Sequence, residues 1–221
     1  MKKLIVVVTA AILAAVYSLP AQDEMDVSMS VGYESRYVFR GVTLADESLT
    51  ASIEAAFGDT YLGMWTNQPI TGSFDNEFDF YGGMGFEVAD GISMDVGGTL
   101  YFYPESGTGA ETFEIYTGLA FDAQLDPAIY FFYDLDLNTL TVEGSVGHSF
   151  EVDEGTTLDL SGFLGFVDIS EGEDYTYHGA SIDVVKSLGD TASGSIGVRY
   201  SEGSGGLEDE IYFGGSITSG W

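Results

Sequence analysis

Few side chains in this sequence could act as a nucleophile, a base or a soft metal ligand. It holds two histidines, His148 and His178, and no cysteine. No His-Glu-x-x-His pair, Gly-x-Ser-x-Gly elbow or phosphate-binding glycine loop occurs. A Ser-His-Asp set could be assembled on paper from either histidine, but nothing in the spacing fixes its geometry. The run Asp134-x-Asp136-x-Asn138 opens like a calcium loop. It then places Thr139 where the turn glycine belongs and Ser145 where the bidentate acid belongs, so a polar hairpin is expected instead. No catalytic residue, cofactor or metal site is expected, and the chain is read as a non-enzyme.

What recurs is charge on one parity of extended segments. Glu34, Arg36, Arg40, Glu54, Asp79, Asp95, Glu114, Asp134, Glu143, Asp159, Asp183 and Arg199 all fall opposite the apolar residues of their segments. Such a row could line a pore, or pair internally and fill it. It needs elements that turn one face to water and the other to an apolar medium.

The elements are strands. Ile92, Met94, Val96, Leu100 and Phe102 share one face, with Ser93, Asp95, Thr99 and Tyr101 on the other. The alternation returns through Phe78–Val88, Phe113–Phe121, Ile129–Leu135, Leu140–Phe150, Leu158–Phe166, Ala180–Val184, Ala192–Val198 and Ile211–Ile217. Val27–Phe39, Leu49–Phe57 and the less regular Tyr61–Asn67 bring the expected count to about twelve strands, each near the ~9–11 residues that cross a membrane as a tilted strand. Gly58-Asp59, Ala89-Asp90-Gly91, Asp122–Pro127, Val152–Gly155 and Leu188-Gly189-Asp190 read as tight turns after even-numbered strands. The links after odd-numbered strands are mostly longer, Asp136–Asn138 excepted. The fold class expected is all-β, a closed antiparallel transmembrane β-barrel with its short turns on the periplasmic side. Closure suits an apolar surrounding because it pairs every backbone donor and acceptor. Phe57, Phe86, Phe121 and Phe150 would form an aromatic girdle. The last strand, ending in Trp221, has the aromatic terminus that barrel assembly machinery would engage.

Composition fits a lipid-embedded protein. The 221 residues are 45% hydrophobic and 14% aromatic, yet carry a formal charge of -30. Disordered acidic chains lack such aromatics. Six basic residues against 36 acidic ones exclude nucleic acid as a partner. Met1-Lys2-Lys3, the apolar run Leu4–Tyr17 and Ser18-Leu19-Pro20-Ala21 read as a secretory signal peptide, residues 1–21, with the barrel over 22–221. The apolar run is too short for a spanning anchor helix. Its removal leaves four basic residues against 36 acidic ones, a net -32.

The runs Tyr33-Glu34-Ser35-Arg36-Tyr37-Val38-Phe39-Arg40-Gly41-Val42-Thr43, Ala51-Ser52-Ile53-Glu54 and Tyr61-Leu62-Gly63-Met64-Trp65-Thr66-Asn67 resemble the TorF-family porins, also catalogued as the Gcw_chp family of uncharacterised bacterial proteins. The likeness centres on a tyrosine, a short gap, Arg-Gly and then Gly-x-Trp-x-Asn. It implies an outer-membrane barrel with a pore and supplies neither a substrate nor a catalytic residue.

Two function classes stay open. One is a narrow diffusion channel of the outer membrane for small cationic or neutral solutes. The other is a structural or adhesive barrel embedded in outer-membrane lipid. Its loop acids Asp46, Glu47, Asp75, Glu105, Glu171, Glu173, Asp174, Glu202, Glu208 and Asp209 would bridge divalent cations. A soluble secreted β-sandwich stands third.

Overall fold

The computed structural model describes residues 25–107, 109–170 and 172–221. The expected signal peptide, residues 1–21, lies outside them, as does Glu171. The strands are β1 Met25–Glu34, β2 Tyr37–Phe39, β3 Val42–Ala45, β4 Ser48–Phe57, β5 Thr60–Pro69, β6 Glu77–Ala89 and β7 Ile92–Phe102. They continue as β8 Thr112–Phe121, β9 Ala128–Asp134, β10 Thr139–Asp153, β11 Thr156–Ile169, β12 Tyr175–Ser187, β13 Ala192–Gly203 and β14 Glu210–Gly220.

Among the described residues, twelve of these strands close into one antiparallel barrel, each paired with its chain neighbour, while β2 and β3 form a separate two-stranded hairpin. The seam joins the first and last described strands: β14 runs against β1 from Ser28↔Gly220 to Glu34↔Gly214. Val27 and Trp221 exchange backbone N–H···O bonds of 2.9 and 3.0 Å there. The longest wall connections, of seven residues after β5 and nine after β7, lie at one rim. At the opposite rim links of four and six residues join β12 to β13 and β8 to β9, and turns of two residues join β4 to β5, β6 to β7 and β10 to β11. Gly91 and Gly155, both with positive φ, allow two of these turns.

Burial is inverted relative to a soluble protein. Val31, Ile53, Met84, Phe86, Phe131, Phe150, Leu164, Ile182, Ile196, Phe213 and Ile217 are exposed on the outer face. The buried set is mostly polar: Ser48, Asn67, Glu77, Glu114, Asp134, Thr141 and Ser201. An apolar belt around a polar interior is the arrangement a lipid-facing barrel requires.

One expected strand is corrected. Val27–Phe39 is not continuous, because β1 leaves the ladder after Glu34. Ser35 bonds Phe213 of β14, its N–H donating to the carbonyl at 2.8 Å and its Oγ accepting the Phe213 N–H at 3.0 Å. Arg40 and Gly41 then take φ of 50° and 80°, a two-residue turn that reverses the chain. The alternation of Tyr37, Val38 and Phe39 is real, but it belongs to a hairpin arm. The stretch from Gly41, expected as an outer loop, supplies the second arm and the start of β4.

Candidate functional site

Twelve strands ~4.8 Å apart and tilted by ~40° close at a backbone diameter of roughly 24 Å. That interior is too wide for wall side chains alone to fill, and the β2–β3 hairpin enters it. Its base is held at the seam. Arg36 bridges Asp46 at 3.2 Å and Glu210 at 3.0 Å, and the Thr43 hydroxyl donates to Glu210 at 3.2 Å.

The tip reaches the far wall. Arg40 donates two hydrogen bonds to Glu114 of β8, at 2.7 and 3.0 Å. Its guanidinium also lies 4.6 Å from the Phe39 ring centroid and 4.5 Å from that of Phe132 on β9. Burial works against its charge, but the hydrogen bonds and negative charge of Glu114 outweigh this and hold its pKa above the usual arginine value. Gly41 packs so closely that a Cβ there would lie 2.7 Å from Cβ of Tyr177 on β12. The hairpin therefore crosses the lumen near the rim of longer loops.

The other sequence-predicted residues stand on the inward parity of the wall. Glu34, Asp183 and Arg199 form one cluster, with Arg199 3.1 Å from Asp183 and 3.8 Å from Glu34. Among the described residues, no arginine or lysine lies within ion-pair distance of Glu54, Asp79, Asp95, Asp134, Glu143 or Asp159. Asp134 closes the β9–β10 turn, its Oδ1 accepting the N–H groups of Asp136 and Leu137 at 2.9 and 2.8 Å. This is the polar hairpin expected in place of a calcium loop. Arg36 and Arg40 face the interior too, but from the hairpin, not from the outer end of the first strand as their parity suggested.

Several lumen groups escaped the sequence reading. Tyrosine hydroxyls hold the acids: Tyr81 donates to Glu54 at 3.0 Å, Tyr61 to Asp95 at 2.9 Å, Tyr101 to Glu114 at 3.0 Å and Tyr177 to Glu143 at 2.7 Å. Tyr103 holds Glu77, an inward acid not singled out, at 2.9 Å. The signal was available, since Tyr81 and Tyr101 share parity with Asp79 and Asp95. Glycines let these rings lie along the wall. A Cβ on Gly63 would overlap the Tyr81 ring, and one on Gly118 the Tyr130 ring.

Space remains on both sides of the hairpin. Between its Tyr37 and Phe39 face and the β4–β7 wall lies a cavity of about 430 Å³ lined by Ser52, Trp65, Asp79, Tyr81, Thr99 and Tyr101. Toward the short-turn rim a wider cavity of about 610 Å³ is lined by small residues, among them Ser28, Thr157, Ser187, Ser193 and Thr218. Both histidines stand on the outer face. His148 packs edge-on to Phe150 at 4.6 Å, and His178 lies 3.6 Å from Glu202. Among the described residues, no three acidic or histidine side chains gather where they could hold a metal ion.

Over residues 20–213 the chain matches the family described as "Bacterial protein of unknown function (Gcw_chp)", and it belongs to that family. No curated protein matches it. Its fold is similar to that of the KdgM porin, with TM-score 0.60 and 9% identity over 88% of this chain and 98% of that one. KdgM is also known in complex with disordered oligogalacturonate. The NanC porin aligns at TM-score 0.60 and 13% identity over 87% and 98% of the two chains. The COG4313 outer membrane channel from Pseudomonas putida F1 aligns at 0.60 and 8% over 91% and 99%. At such identities the likeness is one of fold.

Proposed function

We propose that this member of the Gcw_chp family is a narrow channel of the bacterial outer membrane, a porin of the TorF kind, that passes small cationic or neutral solutes. It reaches that membrane after cleavage of residues 1–21 and engages the barrel assembly machinery through its last strand. One observation carries the reading: lumen acids outnumber arginines. Of the twelve candidate lining residues nine are acids and three are arginines, and each arginine already meets an acid. Among the described residues, the other six acids have no arginine or lysine within ion-pair distance. In a lumen walled by protein and lipid they attract cations more strongly than surface charges would. A polyanion such as the oligogalacturonate that accompanies KdgM would be repelled here.

Reversal potentials across planar bilayers in a salt gradient test this. A cation-selective sign is expected, weakening as salt shortens a Debye length of ~10 Å at 0.1 M. An anion-selective sign would reject the acidic-lumen reading.

A second reading draws support from the hairpin itself. With the Arg40–Glu114 bridge spanning the interior, the protein could be a structural barrel whose outer acids, among them Asp75 and Glu105, bridge divalent cations between neighbours. Purified protein that gives no conductance steps would favour it.

A further inference from the structure

We propose that the cavity between the hairpin and the β4–β7 wall is a binding site for a small organic cation, one bearing an alkylammonium or guanidinium group. The inference deepens the channel reading and rests on it for the sense of a cationic solute. At about 430 Å³ the cavity falls within the ~300–1,000 Å³ of small-molecule sites. Its walls are chiefly aromatic. Tyr37 and Trp65 stand 5.2 Å apart and tilted by 47°, and Phe39 and Tyr101 stand 6.1 Å apart and tilted by 54°. All four rings line the cavity, and a ring face attracts a cation through its quadrupole.

A carboxyl group is present too. Asp79 lines the cavity, and its Oδ1 is buried without a hydrogen-bond partner. A buried carboxylate oxygen left unpartnered is costly unless something completes it. Among the described residues, no arginine or lysine lies within ion-pair distance to do so.

The lumen already contains the complex in miniature. Arg40 places a cation between the rings of Phe39 and Phe132 while its nitrogens donate to a carboxylate. Phe39 borders both that arrangement and the cavity, where aromatic rings and a carboxyl group recur without the cation. Sodium or potassium would give up hydration for ring faces that cannot replace it, so a weakly hydrated organic head group suits the site better. A sugar could stack on the rings but would bring no countercharge to the Asp79 carboxyl.

Trp65 lines the cavity, and the sequence has one other tryptophan, Trp221. In a Trp221→Phe background, Trp65 emission from the detergent-solubilised barrel reports occupancy directly. Tetramethylammonium chloride should change the emission saturably, while sodium chloride at equal ionic strength and glucose should not. Asp79→Asn should weaken the apparent affinity by at least about five-fold. Tyr37→Leu, on the hairpin and outside the wall's ladder, should weaken it as well, with heat-dependent gel mobility confirming the fold of each variant. A linear or absent response, saturation by glucose, or unchanged affinity in Asp79→Asn would overturn the proposal. Bilayer recordings keep the two readings apart. A cation-selective conductance that tetramethylammonium does not block rejects the site and leaves the channel standing. Saturable emission from a barrel that does not conduct keeps the site and rejects the channel.

Discussion

Replacing Arg40 by alanine tests whether the hairpin sets the width of the lumen. The guanidinium and the Glu114 carboxylate are 13% and 3% exposed, and two hydrogen bonds of 2.7 and 3.0 Å join them. Removing one partner of such a pair costs about 3–5 kcal/mol, because the other is left buried and unpaired. The ring contacts to Phe39 and Phe132 are lost with it. This energy holds a local element in place. The barrel's ladder is untouched, and Arg36, Thr43 and Ser35 still anchor the hairpin base. The tip therefore swings while the wall stays closed. At 1.4 kcal/mol per decade, its docked-to-free ratio should fall by roughly two to three and a half orders of magnitude. A ribbon about 10 Å thick leaving a lumen of this size should raise single-channel conductance at least about two-fold. Glu114→Gln undocks the same tip, so its conductance should rise too. Selectivity separates the variants. Arg40→Ala frees a carboxylate and should raise the cation-to-anion permeability ratio, whereas Glu114→Gln frees a guanidinium and should lower it. Unchanged conductance in both variants, or a permeability shift of the same sign in both, would refute the assignment of the hairpin as the constriction.

Gly41→Val should reproduce the conductance gain without any change of charge, since φ of 80° and the contact with Tyr177 both exclude a side chain there; conductance equal to that of the parent protein would count against the packed tip. Gly118→Ala should do the reverse, pushing the Tyr130 ring off the wall and into the lumen, and would fail as a prediction if the current did not fall. Arg199→Ala leaves Asp183 and Glu34 facing each other uncompensated and should lower the temperature of heat-dependent gel conversion, a destabilisation of about 2–4 kcal/mol. Single cysteines at Asp59, Asp90 and Gly155 should resist labelling from outside intact cells, and those at Glu105, Glu173 and Ser204 should accept it; the opposite pattern reverses the proposed orientation.

Much of the barrel was legible because a strand between lipid and water must alternate. Phe80, Met84 and Phe86 on one parity and Asp79 and Tyr81 on the other determine which way β6 faces before any partner is known. Short Gly-containing turns and an even strand count then leave closure as the way to pair every backbone group. The hairpin was not legible for the same reason. Tyr37-Val38-Phe39 alternates whether it continues β1 or turns inward, and period two carries no information about which sheet a strand joins. The Arg40-Gly41 turn depends on positive φ at an arginine, an uncommon state that the Glu114 bridge and the Phe132 ring help to hold. That support comes from residues 74 and more positions away, beyond the reach of local pattern. The charge parity separated charged from apolar positions along each wall strand. It could not say that Arg40 would be consumed by Glu114 while Asp79 was left unpartnered.

The way the remaining acids are held bears on what the lumen can do. If each wall carboxylate were matched by arginine, the interior would be rigid but electrically silent. Tyrosine hydroxyls hold Glu54, Asp95, Glu77 and Glu143 instead. A phenolic hydroxyl supplies a hydrogen bond and fixes the carboxylate without cancelling its charge. The second lone pairs and the negative charge of Glu54, Asp95 and Glu143 stay available to whatever passes, whereas Glu77 is buried. Arginine is reserved for the seam, where Arg36 and Arg199 tie β1, β13, β14 and the hairpin base together, and for the tip, where Arg40 docks the constriction. Structural charge is thus neutralised, and wall charge is anchored by neutral donors. The division separates a plugged barrel from a selective one: exchanging Tyr81 and Tyr61 for phenylalanine should loosen Glu54 and Asp95 while leaving the wall's net charge in place. The sign of the reversal potential should therefore survive in that double variant. In Glu54→Gln with Asp95→Asn the cation preference should shrink, and a preference equal to that of the parent would show that these carboxylates do not face the conducting path.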